Sequence, residues 1–255
     1  NISRGRDENG PILEITAARE ASKSDLIIVR ADPKRYEYTL HMASEDGLHL
    51  SMLERVRQHD LLAAINAGMY LQDNRKNTGY MRRGNHTNNP RIVANFGSFF
   101  VAGARKGGIP QPDLLEKSEL GANPVARLAE YDLAIQNYRL ISLGRGILWP
   151  ESDSAYSISA LGKDEKGNIL FIACEYPLSA PDFSRVLLGL PIGNRLAMYL
   201  EGGSQAGLAL REEKDGKPEF RVWRGRHSGL AGLNRPSEVP LPNVLGVRSK
   251  SPAPK

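Results

Sequence analysis

Short apolar segments of strand length alternate with polar turns along most of the chain. Residues 25–31 are mostly apolar, with Leu-Ile-Ile-Val at the centre, which is typical of a buried strand. Residues 36–42 alternate apolar and polar positions, as a half-buried strand does. We expect these two strands to pair as a hairpin, with His41 on the polar, exposed face.

Helical patterns are fewer and shorter than strand patterns. Ser51 and Glu54 have the spacing of a capping box, which predicts a helix after them, and Asn123 before a proline predicts a second helix. A third helix, capped by Ser179, carries apolar residues at the spacing of a helix packed on a sheet: Phe183, Val186, Leu187 and Leu190. The predicted fold class is α+β, a single domain with a mixed or antiparallel sheet and a few packed helices.

No internal repeat or linker divides the central part of the sequence. We therefore expect one domain over residues 25–248, preceded by an N-terminal extension over residues 1–24 that is frayed at residues 1–10. Residues 249–255 are predicted to be a flexible tail. The chain begins with Asn1 and not with Met, so we expect an N-terminal signal to have been removed and a periplasmic or secreted location.

Composition and charge exclude several classes of protein. Apolar residues make up 40% of the chain and charged residues 25%, as in a soluble globular protein, and no apolar run approaches the roughly 20 residues of a membrane span. The net charge of +5 is spread along the chain without a recognition motif, so we expect no nucleic-acid partner. The five histidines lack metal-ligand spacing, and we expect no metal and no cofactor. The oligomeric state is left open.

Three polar side chains stand at the ends of predicted strands. Glu201 follows an apolar run and precedes the glycine-rich segment 202–204, whose backbone N–H groups can turn towards an anion. Glu175 ends another strand with a carboxylate, and Asn66 follows a third, where an amide suits the wall of a pocket. Each has a second interpretation: Glu201 as an exposed residue of a hairpin loop, Glu175 as a cap or ion-pair partner, and Asn66 as a turn residue.

The order of these segments resembles the phosphodiester glycosidase family. The matching segments are short and together span most of residues 25–248: 28–38, Asn-Ala-Gly-Met-Tyr at 66–70, Phe-Gly-Ser-Phe-Phe at 96–100, Gln-Asn at 136–137, Ala-Leu-Gly at 160–162, Glu-Tyr-Pro at 175–177, Leu-Glu-Gly-Gly-Ser at 200–204, and 242–247. The resemblance implies hydrolysis of a sugar joined through its anomeric carbon to a phosphodiester. Carboxylates would stabilise or attack the oxocarbenium-like centre.

The resemblance also implies roles for individual residues. Glu201 would be the base, nucleophile or electrostatic stabiliser at the anomeric carbon, with Glu175 and Asn66 as the other catalytic candidates. The candidates for substrate binding are Gly202, Gly203, Ser204, Gln136, Asn137, Ser159 and Arg139. The implied partner is a carbohydrate or sugar phosphate on an envelope or extracellular glycan.

Three positions depart from the family's pattern. Glu201 stands where the family usually has Asp, and Tyr138 with Arg139 replaces a common Gly-Pro. The segment 158–162 lacks the Arg that the family usually has there, and that Arg would be a fixed bidentate donor to an anion. Arg139 or the pair at 82–83 would have to replace it. These departures favour an alternative function, a non-catalytic protein that binds a polysaccharide or another anionic polymer.

Overall fold

The computed structural model describes residues 2–7, 10–19, 25–109, 111–225 and 239–250, with side chains from residue 26 onward. In chain order the strands are β1 (Ile2–Asp7), β2 (Gly10–Arg19), β3 (Asp25–Ala31), β4 (Tyr36–Met42), β5 (Ala63–Asn66), β6 (Met81–Arg83), β7 (His86–Asn89), β8 (Ser98–Ala104), β9 (Asp113–Glu116), β10 (Tyr131–Asn137), β11 (Arg139–Ile141), β12 (Tyr156–Asp164), β13 (Ile169–Leu178), β14 (Asn194–Gly202), β15 (Gly207–Lys214), β16 (Lys217–Arg224) and β17 (Asn243–Ser249). The helices are α1 (Ala43–Asp46), α2 (Met52–Gln58), α3 (Pro124–Leu128) and α4 (Ala180–Gly189), with short 3-10 turns at Lys117–Leu120 and Gly203–Gln205.

These strands form three sheets. Sheet 1 has the order β1-β2-β3-β13-β12-β14-β11, sheet 2 the order β7-β6-β10-β8-β9, and sheet 3 the order β16-β15-β5-β17-β4. Every ladder between the described strands is antiparallel. Over the described ranges the sheets are antiparallel and the helices are few, which confirms that part of the α+β prediction and is consistent with a single domain.

The inner faces of the three sheets pack on one common core. Tyr38 of sheet 3 contacts Phe100 of sheet 2 and Phe171 of sheet 1, with ring centroids 5.6 and 6.2 Å apart. All three rings are buried, and the Tyr38 hydroxyl donates to the carbonyl of Ala31. A buried Tyr finds a partner for its hydroxyl in this way. One side chain therefore joins all three sheets.

Strand pairing differs from the sequence prediction in two places. β3 pairs with β2 and β13, and β4 pairs with β17 in another sheet, so the predicted hairpin of β3 and β4 is wrong. β4 belongs to sheet 3, and its apolar side chains pack on the common core from there. Residues 1–10, expected to be frayed, contain β1, which pairs with β2 at the edge of sheet 1. Residues 251–255 of the predicted tail lie outside the described residues.

The chain from residue 131 to residue 141 forms two strands in different sheets. β10 ends at Asn137 in sheet 2, and β11 begins at Arg139 in sheet 1. The carbonyl of Tyr138, between them, accepts a hydrogen bond from the backbone N–H of Tyr199 in β14. This crossing brings the end of sheet 2 against the strand that carries Glu201.

His41 is buried, so the expectation of an exposed imidazole is wrong. Only 7% of the residue is exposed, because the ring of His59 at the end of α2 stacks on it with centroids 3.7 Å apart. Its Nε2 lies 3.0 Å from Thr39 Oγ1. Burial, followed by the nearby His59 and Arg83, lowers the pKa of His41 from 6.5 to about 3.

Acid is therefore expected to destabilise the fold through His41. The unfolded chain binds this proton below pH 6.5 and the folded chain only near pH 3, so stability falls as the pH decreases through that window. The expected loss at pH 4 is about 3 kcal/mol. The stability of His41→Gln, measured by urea unfolding, should depend less on pH between 4 and 7 than that of wild type does. His49→Gln, at an exposed position, should show the same pH dependence as wild type. Parallel pH curves for wild type and His41→Gln would contradict this assignment.

Candidate functional site

Three strands meet where sheets 1 and 3 adjoin. Asn66 ends β5, Ser159 lies in β12, and Glu201 lies near the end of β14. Ser159 is the ladder partner of Glu201, and its hydroxyl donates to Asn66 Oδ1 over 2.8 Å. Three residues that are far apart in sequence and were predicted separately thus lie in one cluster, which we call the strand-end cluster.

The amide of Asn66 is held in one orientation. Its Oδ1 accepts the Ser159 hydroxyl and the backbone N–H of Gly207, the second over 3.0 Å. Asn66 is only 2% exposed, and its Nδ2 has no hydrogen-bond partner among the described residues. A buried donor without a partner costs about 1–3 kcal/mol. Nδ2 is therefore a preoriented donor whose acceptor is not supplied by the described protein.

A β-bulge sets the position of Glu201. The ladder passes from the Ala160–Tyr199 pair to the Ser159–Glu201 pair, so Leu200 is an extra residue in β14. A bulge re-aims the side chains next to it. The Leu200 carbonyl accepts from Nδ2 of Asn137, which fixes the bulge from the side of sheet 2.

Glu201 has the electrostatic properties of an acid–base group. Burial raises the pKa of its carboxyl from 4.5 to about 7, although the backbone N–H of Gly202 donates to Oε1 over 2.9 Å and opposes the shift. The pKa values of the Tyr199 and Tyr70 phenols are raised by burial and then by the charge of Glu201, so both rings lie within its field. A carboxyl that titrates near pH 7 can accept or release a proton under neutral conditions.

The raised pKa predicts that Glu201→Gln stabilises the protein in alkali. The folded chain holds the Glu201 proton up to about pH 7 and the unfolded chain only to 4.5, so wild type loses stability as the pH rises through that interval. Above it the cost is about 3 kcal/mol, which a neutral amide avoids. Urea unfolding at pH 8 should show the variant more stable, and at pH 4 the two proteins should be alike. A variant that is equally stable or less stable at pH 8 would rule out the buried, ionising carboxyl.

The glycine-rich segment continues directly from Glu201. A Cβ on Gly202 would lie 2.5 Å from the Tyr199 hydroxyl oxygen and 2.7 Å from the ring of Tyr156, so no other residue fits there without rearrangement. Gly203 has a φ of 64°, a left-handed conformation that favours glycine, and begins the 3-10 turn Gly203–Gln205 that contains Ser204. The predicted loop is thus a tight turn packed beside the carboxyl.

Glu175 lies on the other side of β12, in β13. Its Oε1 accepts the backbone N–H of Arg224 over 3.1 Å, and its carbonyl accepts the hydroxyl of Ser157. Arg224 is the ladder partner of Gly207, the residue that also donates to Asn66. Glu175 and Arg224 thus connect to the strand-end cluster through backbone groups. Sequence analysis overlooked Arg224. This residue ends β16 with a charged side chain, just as Glu201 follows an apolar run in β14.

The predicted amides Gln136 and Asn137 have no exposed surface. Gln136 accepts from two backbone N–H groups and donates to two carbonyls, those of Val93 and Phe96. Asn137 donates to Leu200 and accepts from the N–H of Tyr138. Both amides therefore hold backbone segments around the cluster.

The three arginines that were predicted to replace the missing family Arg bind other partners. Arg139 forms an ion pair with Glu116 over 2.9 Å, and Arg83 forms one with Glu45. The guanidinium of Arg82 donates to three carbonyls on sheet 2 and in its loops, those of Gly84, Leu128 and Tyr131. None of these contacts joins an arginine side chain to the strand-end cluster.

A row of aromatic rings leads away from the cluster, and we call it the aromatic row. Phe96 contacts Tyr138 with centroids 4.3 Å apart, Tyr138 contacts Trp149 at 5.4 Å, and Trp149 contacts Tyr199 at 5.4 Å. The Tyr199 hydroxyl then lies against Gly202. Sequence analysis overlooked this row because its rings come from four separate segments.

Two further observations apply to the described residues only. None of their helices has the length and apolar character needed to cross a membrane. No three His, Cys, Asp or Glu side chains within the described ranges come together as a metal site.

Comparison with known proteins gives a family and a fold. The sequence profile of the phosphodiester glycosidase family matches residues 59–248. No relative was found among curated proteins. The catalytic domain of zebrafish N-acetylglucosamine-1-phosphodiester alpha-N-acetylglucosaminidase, auto-inhibited by its pro-peptide, is similar in structure, with a TM-score of 0.60 and 13% identity over 98% of this chain and 88% of that one.

Two bacterial structures share the fold. A hypothetical protein from Synechocystis has a TM-score of 0.61 and 15% identity over 93% of this chain, which spans 62% of the Synechocystis chain. A protein from Burkholderia pseudomallei, named as a candidate exported protein, has a TM-score of 0.52 and 11% identity over 91% of this chain and 75% of that one. At these identities the likeness concerns the fold alone.

Proposed function

The chain belongs to the phosphodiester glycosidase family, and on that premise we propose that it hydrolyses the bond between the anomeric carbon of a sugar and a phosphodiester oxygen. The observation that carries the proposal is Glu201, a partly buried carboxyl with a pKa of about 7 whose ladder partner Ser159 holds the preoriented amide of Asn66. Water supplies the new hydroxyl of the sugar, and a phosphomonoester leaves. The natural substrate would be an envelope or extracellular glycan, in keeping with a periplasmic or secreted location.

Glu201 acts in its ionised form in this mechanism. A phosphomonoester is a good leaving group and needs little help from a general acid, so the carboxylate serves the anomeric centre as base, nucleophile or electrostatic stabiliser. The N–H of Gly202 donates to Oε1 over 2.9 Å and holds the carboxylate in place. Preorganised groups of this kind avoid reorganisation when charge develops. Glu175 is assigned a supporting role through its link to Arg224.

The remaining residues bind or position the substrate. Asn66 Nδ2 donates to a substrate oxygen, and Ser159 positions that amide. Gly202, Gly203 and Ser204 offer backbone and hydroxyl donors to the sugar or the phosphate. Substrate contact by Gln136, Asn137 and Arg139 stays a prediction; their bonds to backbone and to Glu116 favour support of the site.

The alternative is a non-catalytic protein that binds a polysaccharide or another anionic polymer. The ion pair of Arg139 with Glu116 favours it, because a substrate phosphate would have to compete with that carboxylate for the guanidinium. Such a protein would bind glycans and leave sugar phosphodiesters uncleaved. The same assay therefore separates the two functions.

The test is hydrolysis of sugar 1-phosphodiesters that carry a nitrophenyl or nucleoside group, run in water labelled with ¹⁸O. Cleavage at the anomeric carbon puts the label into the free sugar, whereas cleavage at phosphorus puts it into the phosphate. We expect label in the sugar and a kcat/KM that rises with pH through about 7 as Glu201 ionises. Label in the phosphate, or saturable glycan binding without turnover, would overturn the proposal.

A further inference from the structure

Tyr70 lies in a loop that the backbone holds in one shape. The loop leaves β5 after Asn66, and Tyr70 forms an antiparallel bridge with Asn77. Backbone hydrogen bonds on either side of the bridge, 2.8 and 2.9 Å long, close residues 69–78 into a short hairpin. We call this segment the Tyr70 hairpin. Its two strands fix the backbone from which the phenol extends.

Asn77 anchors the Tyr70 hairpin in the interior of the protein. It has no exposed surface, and its Nδ2 donates to the carbonyl of Gly79 over 3.0 Å. Its backbone N–H donates to Oδ1 of Asn88, and its carbonyl accepts from Nδ2 of Asn89, both over 2.7 Å. Separating buried polar groups from their partners is costly, so the partner of Tyr70 in the bridge does not move freely.

Gly68 brings the chain before this hairpin next to the bulge of β14. A Cβ on Gly68 would lie 2.6 Å from Oδ1 of Asn77 and 3.4 Å from Nδ2 of Asn137. The same Nδ2 donates to the carbonyl of Leu200, the residue before Glu201. The segment that leads to the Tyr70 hairpin and the bulge that positions Glu201 therefore share one neighbour.

The phenol of Tyr70 is a hydrogen-bond donor without an acceptor in the described part of the chain. The residue is partly exposed, and its hydroxyl has no hydrogen-bond partner among the described residues. Burial and then the charge of Glu201 raise the pKa of the phenol above its ordinary value of 10. The hydroxyl therefore keeps its proton when Glu201 is ionised, and it lies within the field of that carboxylate without a hydrogen bond to it.

We propose that Tyr70 is a further catalytic residue, whose hydroxyl donates a hydrogen bond to the phosphodiester oxygen that leaves the anomeric carbon. This inference rests on the proposed function. The bond between the anomeric carbon and that oxygen breaks, and the oxygen keeps the electron pair. Water supplies the new hydroxyl of the sugar, and the second proton of the water goes to Glu201 or to bulk solvent.

The phenol stabilises charge in this step and does not transfer its proton. The leaving phosphate has a second pKa of about 6, far below that of a phenol, so the proton stays on Tyr70. Negative charge grows on the leaving oxygen as its bond to carbon lengthens. The hydrogen bond is therefore stronger in the transition state than in the bound substrate, which raises kcat more than it lowers KM.

The dependence of the rate on the leaving group tests this role. We compare three phosphodiesters of one sugar, whose second ester group is nitrophenyl, phenyl or methyl, so that the leaving phosphate becomes progressively more basic. Tyr70→Phe keeps the ring and removes the hydroxyl. It should lower kcat for the methyl ester about a hundredfold, with a smaller loss for the nitrophenyl ester and little change in KM. Leu71→Ala, at a neighbouring residue that is 42% exposed, should match wild type on all three esters.

A binding measurement tests the donor without turnover. Methyl phosphate, the product released from the methyl ester, is titrated into wild type and Tyr70→Phe by calorimetry at pH 8, where it is a dianion. The variant should bind it about tenfold more weakly, as the loss of one hydrogen bond to a charged group does. The free sugar should bind to both proteins alike.

The outcomes distinguish the two proposals. Hydrolysis by wild type with an equal loss on all three esters in Tyr70→Phe would overturn the contact with the leaving oxygen and leave the proposed function standing. Equal binding of methyl phosphate by both proteins would overturn that contact as well. Absence of hydrolysis by wild type would overturn the proposed function and the catalytic role of Tyr70 with it, and weaker binding of methyl phosphate by Tyr70→Phe would then keep the phenol as a phosphate donor in a binding protein.

Discussion

Glu201→Gln is expected to lower kcat/KM for sugar 1-phosphodiesters about a thousandfold. The amide keeps the shape of the side chain and can still accept from the Gly202 N–H, but it neither takes a proton nor carries negative charge. Losing such a group removes the acid–base and electrostatic contribution, typically a factor of about 10²–10⁴. Initial rates at pH 8, where the wild-type carboxyl is ionised, measure the effect most directly.

Two matched variants separate chemistry from folding. Glu201→Asp shortens the side chain to the residue that the family usually carries and should retain part of the activity. Glu213→Gln, in β15 and 53% exposed, should match wild type within about a factor of two. A Glu201→Gln protein whose rate stays within tenfold of wild type would remove Glu201 from the mechanism.

Arg55→Ala is expected to lower the free energy of unfolding by about 2–4 kcal/mol, as large-to-small substitutions at fully buried positions do. Arg55 lies in α2 with no exposed surface. Its guanidinium forms an ion pair with Asp46 and donates to the carbonyl of Leu48 over 2.7 Å. The substitution leaves a cavity and deprives both acceptors of their donor. Urea unfolding at pH 7 measures the change.

The variants of Arg55 also distinguish charge from packing. Arg55→Met with Asp46→Asn fills the volume without a buried charge, so this double variant should recover at least half of the lost stability. Gln58→Ala, at an exposed position of the same helix, should change stability by less than about 0.5 kcal/mol. A loss below 1 kcal/mol in Arg55→Ala would mean that the pair contributes little to the fold.

Local signals were sufficient to predict individual elements. The capping box of Ser51 and Glu54 is present at the start of α2, and Ser179 caps α4, because each cap depends only on residues within one helical turn. The alternation of β4 correctly placed Tyr38 and Leu40 in the core. Its pairing partner was wrong, because the choice between β3 and β17 depends on the packing of three sheets and not on the strand itself.

The sequence predicted those residues of the site that lie at the ends of strands. Asn66 and Glu201 stood out in the sequence because each is a polar residue that ends an apolar run. The bond between Asn66 and Ser159, the bulge at Leu200 and the contact of Trp149 with Tyr199 depend on long-range register, which no short pattern contains. The buried His41 illustrates the same limit, since a ring from another element covers it.

The position of β17 has a consequence for synthesis. This last described strand lies between β4 and β5 in sheet 3, with Val244 paired to Asn66. Until residues 243–249 leave the ribosome, β5 lacks one of its two neighbouring strands, and Asn66 has no ladder partner on that side. Contacts of such large sequence separation form late and slow folding. The strand-end cluster therefore becomes complete only after residues 243–249 have been made, so a nascent chain that stops before β17 cannot carry a finished site.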